Sequence, residues 1–162
     1  MTDLRQDFVH AMSRCAATVS VVTTDGEAGR AGLTVSAMTS VSADGDAPTM
    51  LVCVNRGAAA AEPILANGRF AINVLGSDQQ DVADRFAGRA GVADKFAGLI
   101  WDVMATGAPV LAGLAAFDCE VQSSDAVGTH LVLIGAVRAV RVSETGSPLI
   151  YGMRSYLRTE RA

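Results

Sequence analysis

The chain has 162 residues, of which half are hydrophobic and 19% charged, with a net charge of −4. That length suits one domain, 1–162, with a single proper core, and the balance is the reverse of a disordered chain's. Lys95 is the one lysine and the arginines are scattered, so the basic cluster of a nucleic-acid binder is missing. Cys15, Cys53 and Cys119 are isolated, with no Cys-x-x-Cys pair, which argues against a zinc site or redox dithiol. They read as small hydrophobes in a reducing compartment. The start, Met-Thr-Asp-Leu-Arg-Gln-Asp, lacks the basic and apolar runs of a signal peptide. No apolar window reaches the length of about 18 residues that a spanning helix needs. A cytoplasmic protein with no membrane or nucleic-acid partner is expected.

Thr2 or Asp3 can cap a first helix that carries Leu4, Phe8, Met12 and Cys15 on one face. The β-branched run Thr18–Thr24 is a strand, and Asp25-Gly26 turns it into a second strand over about Arg30–Val41. Thr49–Asn55 is apolar enough to be buried on both faces. The alanine-rich segment 56–66 is helical, with Pro63 acceptable in the first turn of a helix starting near Glu62. Asn67-Gly68 ends it, and Arg69–Leu75 is the next strand. Ser77-Asp78-Gln79-Gln80 has the form of a capping box, opening a helix that turns Val82, Ala83 and Phe86 inward and stops at Gly88. Residues 89–113 are least regular, with a short helix near Lys95 and a buried Trp101. Ala115–Ser124 and Thr129–Ser143 are long strands divided by Asp125–Gly128, and Pro148–Tyr151 is a last strand before an Arg/Tyr-rich tail. With no helices between the late strands, a parallel sheet is excluded and a closed or nearly closed antiparallel barrel with short helices is expected.

Rossmann, P-loop and Gly-x-Ser-x-Gly signatures are missing. His10 and His130 are far apart in sequence, with no carboxylate spacing that suggests a metal site. Gly32–Ser42 combines strand-like apolar residues with six Thr, Ser or Gly residues. It suits either a backbone lying against a flat polar ligand or an ordinary half-buried strand. His130, at a strand entrance, faces either a cleft or solvent. Asn55-Arg56-Gly57 offers amides and a guanidinium to an anion, and Arg85-Phe86 offers a second guanidinium. Tyr151, Arg154 and Tyr156 form an aromatic–basic cluster suited to a planar ring, a phosphate or a dimer contact.

In this order the pieces resemble the short-chain flavin reductase family, with the FMN-binding split β-barrel fold, an antiparallel Greek-key barrel. The signatures are Gly32–Ser42, Leu51–Arg56, Asn67–Leu75, Asp94-Lys-Phe96, Gly128-Thr-His130 with Gly135 and Val137, and Pro148–Tyr151. Members are reductase components of two-component flavin monooxygenases. The resemblance implies transfer of a hydride from NADH or NADPH to FMN or FAD, a homodimer, and a monooxygenase partner. It implies flavin contacts from Ser36, Ala37, Met38, Thr39, Ser40, Asn55, Arg56, Gly57, Arg85 and Phe86. It implies His130 as the catalytic histidine on the nicotinamide side, with Tyr151, Arg154 and Tyr156 bordering that pocket. The family's Gly-Asp-His is Gly128-Thr129-His130 here, and its Pro-Pro is Asp46-Ala47-Pro48, in a longer loop. Two other readings share the fold: reduction of a cobalt corrinoid of the cob(II)yrinate type, and a non-enzymatic flavin or haem carrier.

Overall fold

The computed structural model describes residues 3–160; Thr2, the alternative first cap, lies outside them. Asp3 caps helix α1 (Leu4–Met12), its carboxylate accepting from the Arg5 amide at 3.0 Å. Leu4, Phe8 and Met12 remain largely exposed. Strands β1 (Ala17–Thr18), β2 (Ser20–Thr24), β3 (Ala31–Val35), β4 (Met38–Ser42) and β5 (Thr49–Asn55) follow. Then come α2 (Ala61–Asn67), β6 (Arg69–Val74), α3 (Gln80–Phe86), β7 (Trp101–Val103) and β8 (Pro109–Leu111). The chain ends with β9 (Ala115–Val127), β10 (His130–Val142), β11 (Ile150–Gly152) and β12 (Ser155–Leu157). Among the described residues no helix is long and apolar enough to cross a membrane.

Seven strands form one antiparallel sheet in the order β3-β2-β6-β9-β10-β5-β4. Its two edges are consecutive strands, separated only by Ser36 and Ala37. Laid flat, seven strands at about 4.8 Å spacing would hold these edges about 29 Å apart. The step from Val35 to Met38 spans at most about 11 Å of backbone. The sheet therefore curls until its edges meet, although β3 and β4 form no ladder with each other. The result is a barrel split along a seam at Ser36–Ala37. On the β5 side of that seam the Cys53 amide donates to the Ala37 carbonyl at 2.9 Å, one rung beyond the β4–β5 ladder.

Val22, Val52, Val54, Phe70, Ile72 and Leu133 fill the barrel, with Ile64 of α2 packed among them. A second apolar cluster joins Val82, Ala83 and Phe86 of α3 to Val19, Val21, Leu111 and Leu149. Gly32 is needed at this junction, because a Cβ there would lie 2.8 Å from the Phe86 ring. Pro63 does sit in the first turn of α2, and Gly68 closes that helix at φ 67°.

Five local expectations are corrected. The strand expected over 30–41 is broken at Ser36–Ala37, because the two halves pair with opposite ends of the sheet. No capping box forms at 77–80; Gln79 precedes α3 without a side-chain cap and instead spans Gly76 and Ala112. Residues 95–98 turn without becoming a helix, and Trp101 is half-buried, its indole N–H donating to the Phe96 carbonyl. β9 continues to Val127, so the loop expected at 125–128 shrinks to the two residues Gly128-Thr129. The tail holds a further strand, β12, in a hairpin with β11 whose tip residues Met153 and Arg154 have φ of 49° and 60°. Two such residues are what a type I′ turn demands.

Asn73 ties three strands together from a fully buried position. Its amide donates to the Val21 carbonyl at 3.0 Å and the Thr23 hydroxyl at 3.1 Å, and its oxygen accepts from the Leu111 amide at 2.8 Å. Asn73→Ala strands these buried groups and should lower stability on the order of 2–3 kcal/mol in urea denaturation. A loss under about 0.5 kcal/mol, the range of an ordinary surface change, would show that the tie is dispensable.

Candidate functional site

At one end of the barrel the β5 and β10 termini lie side by side, with Asn55 opposite His130. The Arg56 amide donates to the Thr129 carbonyl at 2.9 Å, and its guanidinium reaches the Gly128 carbonyl at 3.3 Å. Gly128, at φ 55°, opens the two-residue turn before His130. The Thr129 hydroxyl meets His130 Nδ1 at 2.9 Å. A hydroxyl fixes the imidazole without placing a negative charge beside it.

The anion site expected here from backbone amides takes a different form. The Gly57 amide is spent on Asn55 Oδ1 at 2.8 Å and the Ala58 amide on the Asn55 carbonyl at 3.0 Å. With the Arg56 amide also engaged, the exposed Arg56 guanidinium is the charged group placed to meet an anion.

The seam lies at this same end. Ala37 bonds to Cys53, two residues before Asn55. Ser36 and Ala37 are exposed, as are Thr39 and Ser40 on the edge strand β4, while Met38 is half-buried. Small exposed residues without a covering strand leave room for a flat group to approach the backbone. The chemistry of this donor set, with hydroxyls, main chain and one guanidinium, fits a planar polar ring that carries an anionic tail.

On the other side of Ser36 is a cavity of about 190 Å³ lined by Val19, Thr34, Val35, Ala87, Arg89, Tyr151 and Tyr156 as well as Ser36. The Tyr151 and Tyr156 rings meet edge to face at 5.5 Å. The Thr34 hydroxyl donates to the Ala83 carbonyl at 2.7 Å and pins α3 beside the cavity. The Tyr156 hydroxyl donates to Asp84 Oδ1 at 2.8 Å, and Arg89 Nη1 donates to the same oxygen at 3.2 Å. The guanidinium carbon of Arg89 lies 6.0 Å from the centre of the Tyr151 ring.

The structure thus brings most of the candidates to one end of the barrel and moves three away. Phe86 is 1% exposed, with its ring against Phe96 and Trp101. It braces α3 and presents no side-chain surface. Arg85 donates to the Ala97 carbonyl at 2.6 Å and holds the 89–100 loop. Arg154, at the hairpin tip, faces a hollow lined by His10, Ser13, Arg14 and Met153, apart from the tyrosine cavity. Asp84 and Arg89 are the polar residues that sequence reasoning missed, while Thr34 lies within the Gly32–Ser42 stretch it singled out. Their signal was faint: Asp84 and Arg89 flank the helix stop at Gly88 five residues apart, a spacing that matters only because the chain turns back there.

Burial pushes the Tyr156 phenol up to about 12, with the Asp84 carboxylate adding to the rise. The same carboxylate raises Arg89. A folded pKa above the ordinary phenol value of about 10 means that neutral Tyr156 contributes stability fully present below about pH 10. That contribution is lost as pH rises through about 12. Phenolate absorbance should therefore show an ionisation near pH 12 that disappears in Tyr156→Phe. Wild-type protein with no step above the ordinary phenol range would contradict the bond to Asp84.

The flavin reductase like domain family model matches residues 12–160. The chain belongs to this family. It is 48% identical over 150 residues to FMN reductase (NADH) RutF 2 of Methylorubrum extorquens strain PA1, covering 92% of this chain and 86% of that protein. Its fold matches the Streptomyces globisporus C-1027 NADH:FAD oxidoreductase SgcE6, solved with NAD and FAD fragments, at TM-score 0.88 and 25% identity, covering 99% and 96% of the two chains. It also matches the styrene monooxygenase flavin reductase SMOB of Pseudomonas putida S12 at TM-score 0.84 and 29% identity, covering 96% and 99%. In this family member the split barrel expected from the sequence is present, with the seam as its open edge.

Proposed function

We propose that the protein is an NADH:flavin oxidoreductase that reduces FMN or FAD and passes the reduced flavin to a monooxygenase partner. The observation that carries this reading is the exposed Ser36–Ala37 seam, flanked by the Arg56–His130 cluster on one side and the tyrosine cavity on the other. The relatives' names support both reactants, since one is an FMN reductase (NADH) and another an NADH:FAD oxidoreductase.

Ser36, Ala37, Met38, Thr39 and Ser40 hold the flavin in this reading. Arg56, oriented by the Gly128 carbonyl, takes its phosphate, with Asn55 and Gly57 shaping the turn. Bound flavin supplies a two-electron acceptor for the nicotinamide hydride. Tyr151 and Tyr156 form the wall for the nicotinamide ring, and His130, fixed by Thr129, meets the donor from across the seam. No side chain has to gain or lose a covalent bond. The protein's contribution is position, which removes a large part of such a barrier. Arg85 and Phe86 act by holding α3 and the following loop.

The same reading includes one domain over 1–162 that works in the cytoplasm as a homodimer. Leu4, Phe8 and Met12 leave an apolar helix face that a second copy would cover. The three cysteines are free thiols, which suits a reducing compartment.

NADH consumption by the purified protein should depend on added FMN or FAD. Arg56→Ala should raise the flavin KM about tenfold, the cost of a lost charge-assisted contact. His130→Ala should raise the NADH KM while leaving flavin affinity within about twofold. Protein that no flavin stimulates, and that binds no flavin, would end this reading.

A further inference from the structure

Asp84 stands at the point where three elements around the tyrosine cavity meet. Its neighbours Val82, Ala83 and Phe86 are buried and fix the rotation of α3. The Ala83 carbonyl is held by Thr34. Asp84 is thereby presented to β12 and to the chain after Gly88. Through one oxygen, Oδ1, it accepts from both the Tyr156 hydroxyl and the Arg89 guanidinium. Its carbonyl also accepts from the Arg89 amide at 2.9 Å, so Arg89 is tied to it twice.

Among the described residues, Arg89 is the one charged residue lining the cavity. Paired with Asp84 and set over the Tyr151 ring, its charge is already answered. The cavity is therefore apolar-walled, aromatic and close to neutral, which suits an uncharged heterocycle better than a phosphate. The Asp84–Arg89 pair itself is 39% and 58% exposed on its two side chains. Such exposed pairs contribute little to folding. The arrangement has more consequence for the shape of the cavity than for the stability of the fold.

We propose that Asp84 is a positioning residue for the hydride donor, holding Tyr156 and Arg89 in place so that the cavity keeps the shape and neutrality the nicotinamide ring requires. This rests on the flavin reductase reading. It adds a determinant of donor binding on α3, in a position that touches neither reactant itself.

Steady-state kinetics with Asp84→Ala, Asp84→Asn and Tyr156→Phe test it, each run with NADH varied at saturating FMN and FMN varied at saturating NADH. Asp84→Ala should raise the NADH KM about tenfold, with kcat and the FMN KM within about twofold. Asp84→Asn keeps an oxygen for Tyr156 but loses the negative charge that faces Arg89, and should fall between. Because both changes remove the same bond, Asp84→Ala combined with Tyr156→Phe should cost less than the two separate effects together. Melting temperatures of Asp84→Asn and Tyr156→Phe should stay near the wild-type value. Unchanged NADH KM, equal rises in both KM values, or strictly additive effects would overturn the role of Asp84 alone. Wild-type protein that oxidises no NADH with any flavin would overturn the underlying reading and this one with it.

Discussion

Two residues, Ser36 and Ala37, connect strands that lie at opposite edges of a seven-stranded sheet. That short step is the constraint from which the rest follows. It bends the sheet into a barrel, because no flat arrangement lets so short a segment bridge the edges. It also prevents closure. A strand that leaves one edge and enters the other within two residues cannot pair with itself across the gap. The bond from Cys53 to Ala37 extends the β4–β5 ladder up to the seam, and Ser36 and Ala37 stay uncovered.

The site is built around that opening. Toward β5 and β10 the seam meets an exposed guanidinium and a histidine fixed by a neutral hydroxyl. Toward β11, β12 and α3 it meets two tyrosines and an arginine whose charge is already paired. One side is equipped for an anion and the other for an uncharged aromatic ring. A flavin phosphate and a nicotinamide ring make this pair of demands at once. Binding energy spent on the remote phosphate helps hold the reacting rings together.

Much of this was legible in the sequence. β-branched runs, turn signals and Pro63 located most elements, and the absence of late helices excluded a parallel sheet. The break at Ser36–Ala37 was not legible, since nothing local distinguishes it from a continuing strand; only the pairing of its two halves with distant partners creates it. The capping box at Ser77 lost to a tertiary competitor, Gln79 bridging Gly76 and Ala112. In the candidate site, Gly128-Thr129-His130 and Asn55-Arg56 carry a local signature, and the structure sets these two segments side by side. Asp84 and Arg89 were missed, because their meaning depends on Tyr156 arriving from 72 residues away. Phe86 was assigned to the ligand and belongs to the core, as a ring packed over Gly32.

Flavin binding at the seam is the central claim, and Ala37→Leu tests it most directly. Ala37 is exposed, so the larger side chain disturbs no core contact and the melting temperature should hold. Equilibrium titration of FMN, followed by quenching of its fluorescence without NADH, should show affinity reduced about tenfold, as overpacking of about 1–3 kcal/mol implies. FMN bound by folded Ala37→Leu as tightly as by wild type would place the flavin elsewhere and contradict the account.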